Sequence, residues 1–450
     1  MGHAKLTATQ DKPEKLLTFS GLCLLFVWVA EEAYILSGVY VFSLIAVTMF
    51  GLFAFFAIQK ASPHVQFIFV TALFVAGSLM FLQGSIDPLL LGIHRAEIFG
   101  AFIPAVIFLR ASLQSTQMTS HGLVTQKKHA LGTQGQALTG NFILGSLLNV
   151  GSIHFLAARL SAGQADNMLP QLARASALGL GAAVMWSPFF VSMGFVSQMI
   201  PQTSLAKLVL ISFGASIISL VAFNFFLSKN FKIGQLIKSL ILFKSLFFPL
   251  VIITLSILFF SYTFNFSGPQ SVVIVAPLLA LCWMSVKPKQ SSHIMRGTFR
   301  SISRVSDELI VLLGAMILGA SFESLPWIKD TVANLNLSEL GPELILLISV
   351  FSLVGLGQIG VHPMIGTTII VPLIASSDLG ISEVIIGATC IFSWGISAAI
   401  SIWTLPVSVA SSVFKVSITQ FLSLSLLRVV LVTCFLVITY FAILNRLFLL

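Results

Sequence analysis

Two apolar stretches of the sequence are interrupted near their centres by glycine, histidine, amide and hydroxyl residues. In the stretch 138–165 the interrupting residues are Asn149, Gly151, Ser152 and His154. In the stretch 344–377 they are Gln358, Gly360, His362, Pro363, Thr367 and Thr368. Side-chain oxygens can bind a cation or a polar solute, and histidine can exchange a proton near neutral pH. Neither stretch has Lys, Arg, Asp or Glu near its centre, so backbone and hydroxyl groups would have to hold a charged ligand.

A proline interrupts the apolar segment that follows each of these stretches. Trp186-Ser187-Pro188 lies near the middle of 172–200, and Trp403-Thr404-Leu405-Pro406 lies within 381–411. Proline lacks a backbone N–H group and opens a helix. The helix N-terminus after a break favours anions, and freed carbonyl groups can bind a cation. The predicted substrate or ion site therefore also includes Ser187, Pro188, Ser397, Thr404 and Pro406.

Each candidate residue also has a purely structural interpretation. Ser and Thr hydroxyl groups bond to the backbone of their own helix, and small residues allow close helix packing. His154 or His362 could cap a turn as a neutral side chain. The sequence leaves both interpretations open.

Composition excludes a soluble protein. Of the 450 residues, 57% are hydrophobic and 9% are charged, whereas about a quarter of the residues of soluble domains are charged. A helical crossing needs about 20 apolar residues, so the chain has room for many. It lacks a Gly-Lys-Ser/Thr phosphate motif and a His-Glu-x-x-His motif, and its interrupted stretches lack a catalytic Ser/His/Asp set. We expect no enzymatic activity, no metal site and no cofactor beyond a coupling Na⁺ or H⁺.

Basic loops orient the predicted helices in the membrane. Positive residues collect on the cytoplasmic side, so the tail 1–16 and the loops 111–136, 229–244 and 287–304 predict a cytoplasmic N-terminus. The expected fold is all-α, with about 11 transmembrane helices plus two re-entrant hairpins in a bacterial inner (plasma) membrane. The first crossing is expected at 17–30, with Glu31 and Glu32 in an outer turn. This orientation accounts for the formal charge of +9 without nucleic-acid binding.

The order of elements predicts an inverted repeat. Each repeat contains a hairpin, 138–165 or 344–377, and a broken span, 172–200 or 381–411. Five crossings separate the hairpins, so they enter from opposite faces. An alternative alignment lays 145–156 on 314–325 and makes the second hairpin a plain span. The expected segments are the tail 1–16, scaffold helices 17–136, first repeat 137–228, connecting scaffold helices 229–307 and second repeat 308–450.

The pattern over most of 137–445 resembles the ion transporter superfamily. This group includes divalent-anion/sodium symporters, citrate transporters, arsenite exporters and the large subunit of tripartite carriers. Similar local features are Gln358-Ile359-Gly360-Val361-His362-Pro363 leading to Ile370-Val371-Pro372-Leu373-Ile374. Several of these families carry Ser-Asn-Thr at each hairpin tip, and this chain has neither copy. The nearest residues are Asn149 with Ser152, and Thr367 with Thr368.

The resemblance implies a secondary active transporter that works by alternating access. We expect a small, organic, anionic solute, a sodium or proton gradient, an elevator-like motion of the hairpins and broken spans, and a homodimer in the lipid bilayer. A first alternative is a membrane subunit that needs an accessory solute-binding protein. A second is an exporter of an inorganic anion or metalloid.

Overall fold

The fold is built from helices alone. The computed structural model describes residues 17–114, 132–161, 163–227, 237–238, 240–241, 243–325, 337–375 and 379–449, and it contains no strand in these ranges. In lipid every backbone polar group needs an internal partner, which a helix supplies within itself. Ten helices in these ranges are long and apolar enough to cross a membrane, or up to eleven if one bent pair counts as a span. The expected all-α fold class is confirmed, and these long apolar helices are compatible with a multi-pass membrane protein.

The helices up to residue 227 are interrupted where the sequence predicted. The apolar stretch 138–165 is divided between α5 and α6, and 172–200 is divided between α7 and α8. In chain order the helices are α1 Phe19–Ser37, α2 Tyr40–Ile58, α3 Pro63–Gln83, α4 Asp87–Gln114, α5 Thr133–Leu148, α6 Gly151–Leu160, α7 Leu169–Val184, α8 Val191–Met199 and α9 Leu205–Leu227.

The second half repeats this division. The stretch 344–377 forms two helices, α14 and α15, and 381–411 forms α16 and α17. The helices are α10 Lys244–Phe264, α11 Gly268–Val286, α12 Ser291–Ile302, α13 Ser306–Glu323, α14 Gly341–Gln358, α15 Pro363–Ala375, α16 Glu383–Ile400, α17 Leu405–Val413, α18 Ile418–Phe421 and α19 Leu424–Leu449. The bent pair that could form one span is α12 with α13, at 51°.

Two helical hairpins are formed by α5 with α6 and by α14 with α15. In the first hairpin Gly140 of α5 lies against Leu156 of α6. In the second, Gly366 of α15 lies against Leu353 of α14. We call α7 with α8 the first broken segment and α16 with α17 the second broken segment.

The helices pack as two bundles. The scaffold bundle comprises α1–α4 and α11–α13, in which α4 packs against α1, α11 and α13. The hairpin bundle comprises α5–α9 and α14–α19, in which α7 packs against α5 and α16. Helix α10 packs on α11 and also contacts α5 and α9. The predicted second repeat began at 308, whereas the helix that begins there, α13, packs mainly against α3 and α4 of the scaffold bundle.

The predicted outer turn at Glu31 and Glu32 is wrong. Helix α1 continues through both residues to Ser37 and ends at Gly38, whose N–H donates to the Tyr34 carbonyl. Glu31 is 3% exposed and its carboxyl lies within hydrogen-bonding reach of Glu97 on α4. The Glu32 carboxylate accepts a hydrogen bond from the Trp28 indole at 2.8 Å. These partners allow two carboxyl groups to remain inside a helix where the sequence pattern favoured a turn.

Candidate functional site

A cavity of about 400 Å³ lies where both hairpin tips and both broken segments meet the scaffold bundle. This volume is within the range of about 300–1,000 Å³ typical of small-molecule sites. We call it the central cavity. The residues that line it are Val65, Asn149, Val150, Val184, Phe190, Val191, Ser192, Asp307, Glu308, Val311, His362, Pro363, Met364, Trp394, Ala398, Trp403, Thr404, Leu405 and Pro406.

A serine hydroxyl in each break donates a hydrogen bond to a carbonyl of the hairpin before it. The Ser187 hydroxyl donates to the Ser146 carbonyl at 2.8 Å and accepts from the Phe189 N–H at 3.3 Å. The Ser401 hydroxyl donates to the Gly357 carbonyl at 2.7 Å and accepts from the Trp403 N–H at 3.3 Å. Both serines are fully buried. The Ser187 bond satisfies the buried Ser146 carbonyl, whereas the Gly357 carbonyl accepts both from Ser401 and from the Gly360 N–H at 3.3 Å.

The two breaks have the same local geometry. Helix α8 begins four residues after Ser187, and α17 begins four residues after Ser401. The residues before these helices, Phe190 and Thr404, share a φ of −93° and have ψ angles of 142° and 148°. The serines thus occupy equivalent positions, whereas the tryptophans compared in the sequence do not. Trp186 precedes its serine and Trp403 follows it.

Helix N-termini face the central cavity from both broken segments. Val191 and Ser192 begin α8, Leu405 and Pro406 begin α17, and all four line the cavity. The first N–H groups of a helix have no partner within the helix, and the N-terminal end carries partial positive charge. The cavity wall can therefore stabilise negative charge although no Lys or Arg is among its lining residues.

His362 caps the second hairpin tip. Its imidazole Nδ1 accepts a hydrogen bond from the Met364 N–H, which belongs to the first turn of α15, at 3.3 Å. The ring meets Trp394 edge-on at 5.7 Å between centroids. An Nδ1 atom that accepts this bond carries no proton. The arrangement matches the turn-capping interpretation of this histidine.

The scaffold bundle brings three charged residues to the tips, and sequence reasoning missed all of them. Arg110 of α4 donates from Nε to the Leu147 carbonyl at 2.9 Å and from Nη2 to the Phe189 carbonyl at 3.3 Å. It thus bonds to both the first hairpin and the first break. The sequence did contain Arg110, but as the last residue of a span it indicated only a membrane boundary.

Asp307 and Glu308 supply negative charge to the central cavity from the first turn of α13. The Asp307 carboxylate accepts from the Ser62 N–H at 3.1 Å. Glu308 is exposed to the cavity, and its carboxylate interacts electrostatically with the Arg110 guanidinium. Among the described residues it forms no hydrogen bond or direct ion pair. Glu308 also borders a neighbouring space of about 30 Å³ together with Arg110 and Asn149. Throughout the ranges that the structure describes, no group of three or more His, Cys, Asp or Glu residues is arranged to hold a metal ion.

Five of the residues predicted from the sequence line the central cavity, and the others lie outside its lining. The five are Asn149, His362, Pro363, Thr404 and Pro406. Asn149 has a positive φ of 52° where the first hairpin turns, and Gly360 has a φ of 91° at the second tip. Those outside are Gly151, Ser152, His154, Ser187, Pro188, Gln358, Gly360, Thr367, Thr368 and Ser397.

Several of the outlying residues support the tips instead. The Ser152 hydroxyl donates to the Asn141 side chain at 2.7 Å and thereby joins α6 to α5. The Thr368 hydroxyl donates to the Ile365 carbonyl of its own helix at 2.8 Å. Ser397 packs against Gly357 of the second hairpin. His154 is exposed on α6 and does not reach the cavity.

No protein-family model and no curated protein sequence matches the chain. The functional argument accordingly depends on the central cavity and on the elements that surround it.

Proposed function

We propose that the protein is a secondary active transporter for a small organic solute that bears a carboxylate. The observation that carries this proposal is the central cavity, which both hairpin tips, both breaks and the scaffold bundle enclose together. Discontinuous helices that meet at one solute-sized cavity are the usual binding architecture of secondary transporters. The N-termini of α8 and α17 would hold the carboxylate.

The paired serine bonds support an inverted repeat. A carbonyl at the end of α5 accepts from Ser187, and the matching carbonyl of α14 accepts from Ser401. Contacts of the two hairpins support openings towards opposite ends of the molecule. Gly140 of α5 lies against Phe243, just before α10, whereas Leu373 of α15 packs beside Leu325, just after α13.

The direction of the chain assigns the helix ends that the two hairpins contact to sides of the membrane. Spans α10, α11 and α13 alternate in direction, so the beginnings of α10 and α13 lie on one side. The basic segment 287–304 before α13 makes that side cytoplasmic. The first hairpin would then enter from the cytoplasm and the second from outside, both as re-entrant elements.

The position of the cavity along the scaffold supports an inward-facing state. Val65 is the third residue of α3, Glu308 is the third of α13, and Arg110 is four residues from the end of α4. All three lie within about one turn of the proposed cytoplasmic ends of their helices. An outward movement of the hairpin bundle along the scaffold would carry the cavity towards the other side, as in an elevator.

Uptake into proteoliposomes tests the proposal. The purified protein would first be screened for thermal stabilisation by organic carboxylates, with and without sodium, at pH 6 and pH 8, because a ligand that binds the folded state raises its stability. Any stabilising solute would then be followed into vesicles under a sodium or proton gradient. Val150→Trp fills the cavity and should abolish uptake, whereas Val39→Trp, at the exposed turn before α2, should not. Gradient-independent leakage that Val150→Trp leaves unchanged would reject the proposal.

A further inference from the structure

One part of the central cavity wall favours positive charge. Asp307 and Glu308 line it together with Trp394 and Trp403, and no Lys or Arg is among its lining residues. The Trp403 ring also stacks with His64 at 6.0 Å between centroids. Aromatic ring faces attract organic cations, and carboxylates pair with them. A ligand with negative charge alone would leave Glu308 facing an anion, which costs free energy in a partly desolvated cavity.

Another part of the wall favours negative charge. Val191 and Ser192 present the N-terminal turn of α8, and Asn149 adds an amide beside them. Arg110 lies next to Asn149 in the adjoining small space, and its Nη1 is not used in the two carbonyl bonds. Glu308 borders the same small space and interacts electrostatically with Arg110. A ligand with positive charge alone would leave the N-terminus of α8 without a negative partner and would compete with Arg110 for Glu308.

We propose that the transported solute is a zwitterion, a small molecule that carries one carboxylate and one amino or quaternary ammonium group. The ammonium group binds at Glu308 and the tryptophans, and the carboxylate binds at Asn149 and the start of α8. This inference rests on the proposed transport function and names the substrate class of the same cavity. Glu308 acts as the residue that selects for the ammonium group.

The test compares three matched ligand sets by thermal stabilisation of the purified protein. The first set contains α-amino acids and betaines. The second contains the corresponding carboxylic acids without the amino group, and the third contains the corresponding methyl esters without the free carboxylate. We expect stabilisation by members of the first set only. Equal stabilisation by carboxylic acids lacking the amino group would overturn the zwitterion assignment and leave an anion transporter.

Charge substitutions at Glu308 separate ligand selection from a structural role. Glu308→Gln should weaken zwitterion binding at least tenfold, whereas Asp166→Asn, an exposed acid outside the cavity, should leave binding unchanged. Glu308→Lys should transfer the preference to dicarboxylates, because a second carboxylate can then replace the ammonium group. A loss of folding cannot produce that transfer.

Three further outcomes are decisive. Unchanged zwitterion affinity in folded Glu308→Gln overturns the role of Glu308. Stabilisation by none of the three sets, combined with no uptake of any of them into proteoliposomes, rejects both the zwitterion and the proposed transport of a carboxylate solute. Uptake of carboxylates without amino groups rejects the zwitterion alone.

Discussion

Gly181 and Gly395 touch each other where the two broken segments cross. A Cβ atom added to Gly181 would lie 2.5 Å from the Gly395 carbonyl oxygen, and one added to Gly395 would lie 2.6 Å from the Gly181 carbonyl oxygen. Gly395 follows Gly181 by the same number of residues as Ser401 follows Ser187. The contact therefore joins equivalent positions of the proposed repeat and marks the axis between its halves.

Substitution of either glycine by alanine should destabilise the protein strongly. The added methyl group meets backbone, which cannot rotate away, so we expect a loss of about 1–3 kcal/mol or more in the free energy of unfolding for each variant. Thermal unfolding in detergent measures this. The control is Gly297→Ala in α12, where no atom lies within 4 Å of the new Cβ and the better helix former should be neutral or stabilising. Similar melting of Gly181→Ala and Gly297→Ala would contradict the close crossing.

Removal of either serine hydroxyl should destabilise the protein, and more so at Ser187. Ser187→Ala removes the hydroxyl that bonds to the buried Ser146 carbonyl, which costs about 1–3 kcal/mol. Ser401→Ala should cost less, because the Gly357 carbonyl also accepts from the Gly360 N–H. Ser285→Ala is the control because its exposed hydroxyl bonds only to Leu281 of its own helix, and surface changes of this kind stay within about 0.5 kcal/mol. Equilibrium unfolding of the three variants compares these costs. A larger loss at Ser401 than at Ser187 would contradict this ranking.

Substitution of Arg110 should lower solute uptake even when the new residue keeps the positive charge. Lysine has a single ammonium group and cannot reproduce the planar fork that reaches both Leu147 and Phe189 carbonyls. We expect Arg110→Lys and Arg110→Gln to lower solute uptake by at least tenfold. Lys207→Gln, a change at an exposed cation on α9, should have no effect. Full uptake by Arg110→Lys would mean that the charge matters and the two bonds do not.

A cysteine at the first hairpin tip should react from the cytoplasmic side. We would introduce Asn149→Cys together with Cys282→Ser, since Cys282 is the exposed cysteine among the described residues. A membrane-impermeant maleimide should label it in inside-out vesicles and label it less in right-side-out vesicles. Gln202→Cys, in the loop between α8 and α9, should give the opposite result. Labelling of Asn149→Cys only from outside would contradict the inward-facing state.

The Glu31–Glu97 pair should tolerate an amide but not a truncation. Both residues are almost fully buried, and their carboxyl groups lie within hydrogen-bonding reach. An ionised carboxylate only accepts hydrogen bonds, so a bond between the two groups needs one proton, and an amide can donate in its place. Thermal unfolding should therefore change little in Glu97→Gln. Glu97→Ala should lose about 1–3 kcal/mol through the unpaired Glu31. Equal losses in both variants would mean that packing, not the bond, matters.

Local patterns in the sequence located the elements of the site but not all of its charges. Ser187-Pro188 and Thr404-Leu405-Pro406 mark both breaks, and the polar interruptions around Asn149 and Gly360 mark both tips. These are local properties, set by the backbone N–H groups that proline lacks and by backbone angles. Arg110 and Glu308 reach the tips through packing between bundles, which no local pattern records. For the same reason the partner of Glu31, which lies 66 positions later in the chain, did not enter the prediction of α1.

The bonds that hold the tips are made to main-chain carbonyls. Arg110 bonds to the backbone of Leu147 and Phe189, Ser187 to that of Ser146, and Ser401 to that of Gly357. Every residue type has a carbonyl group, so the accepting positions can change in evolution while the bonds persist. The side chains that these bonds require are therefore the few donors, not the accepting residues. The fold of the tips can therefore be retained when the accepting residues change. Distant relatives would share the order of helices and the paired breaks rather than sequence motifs.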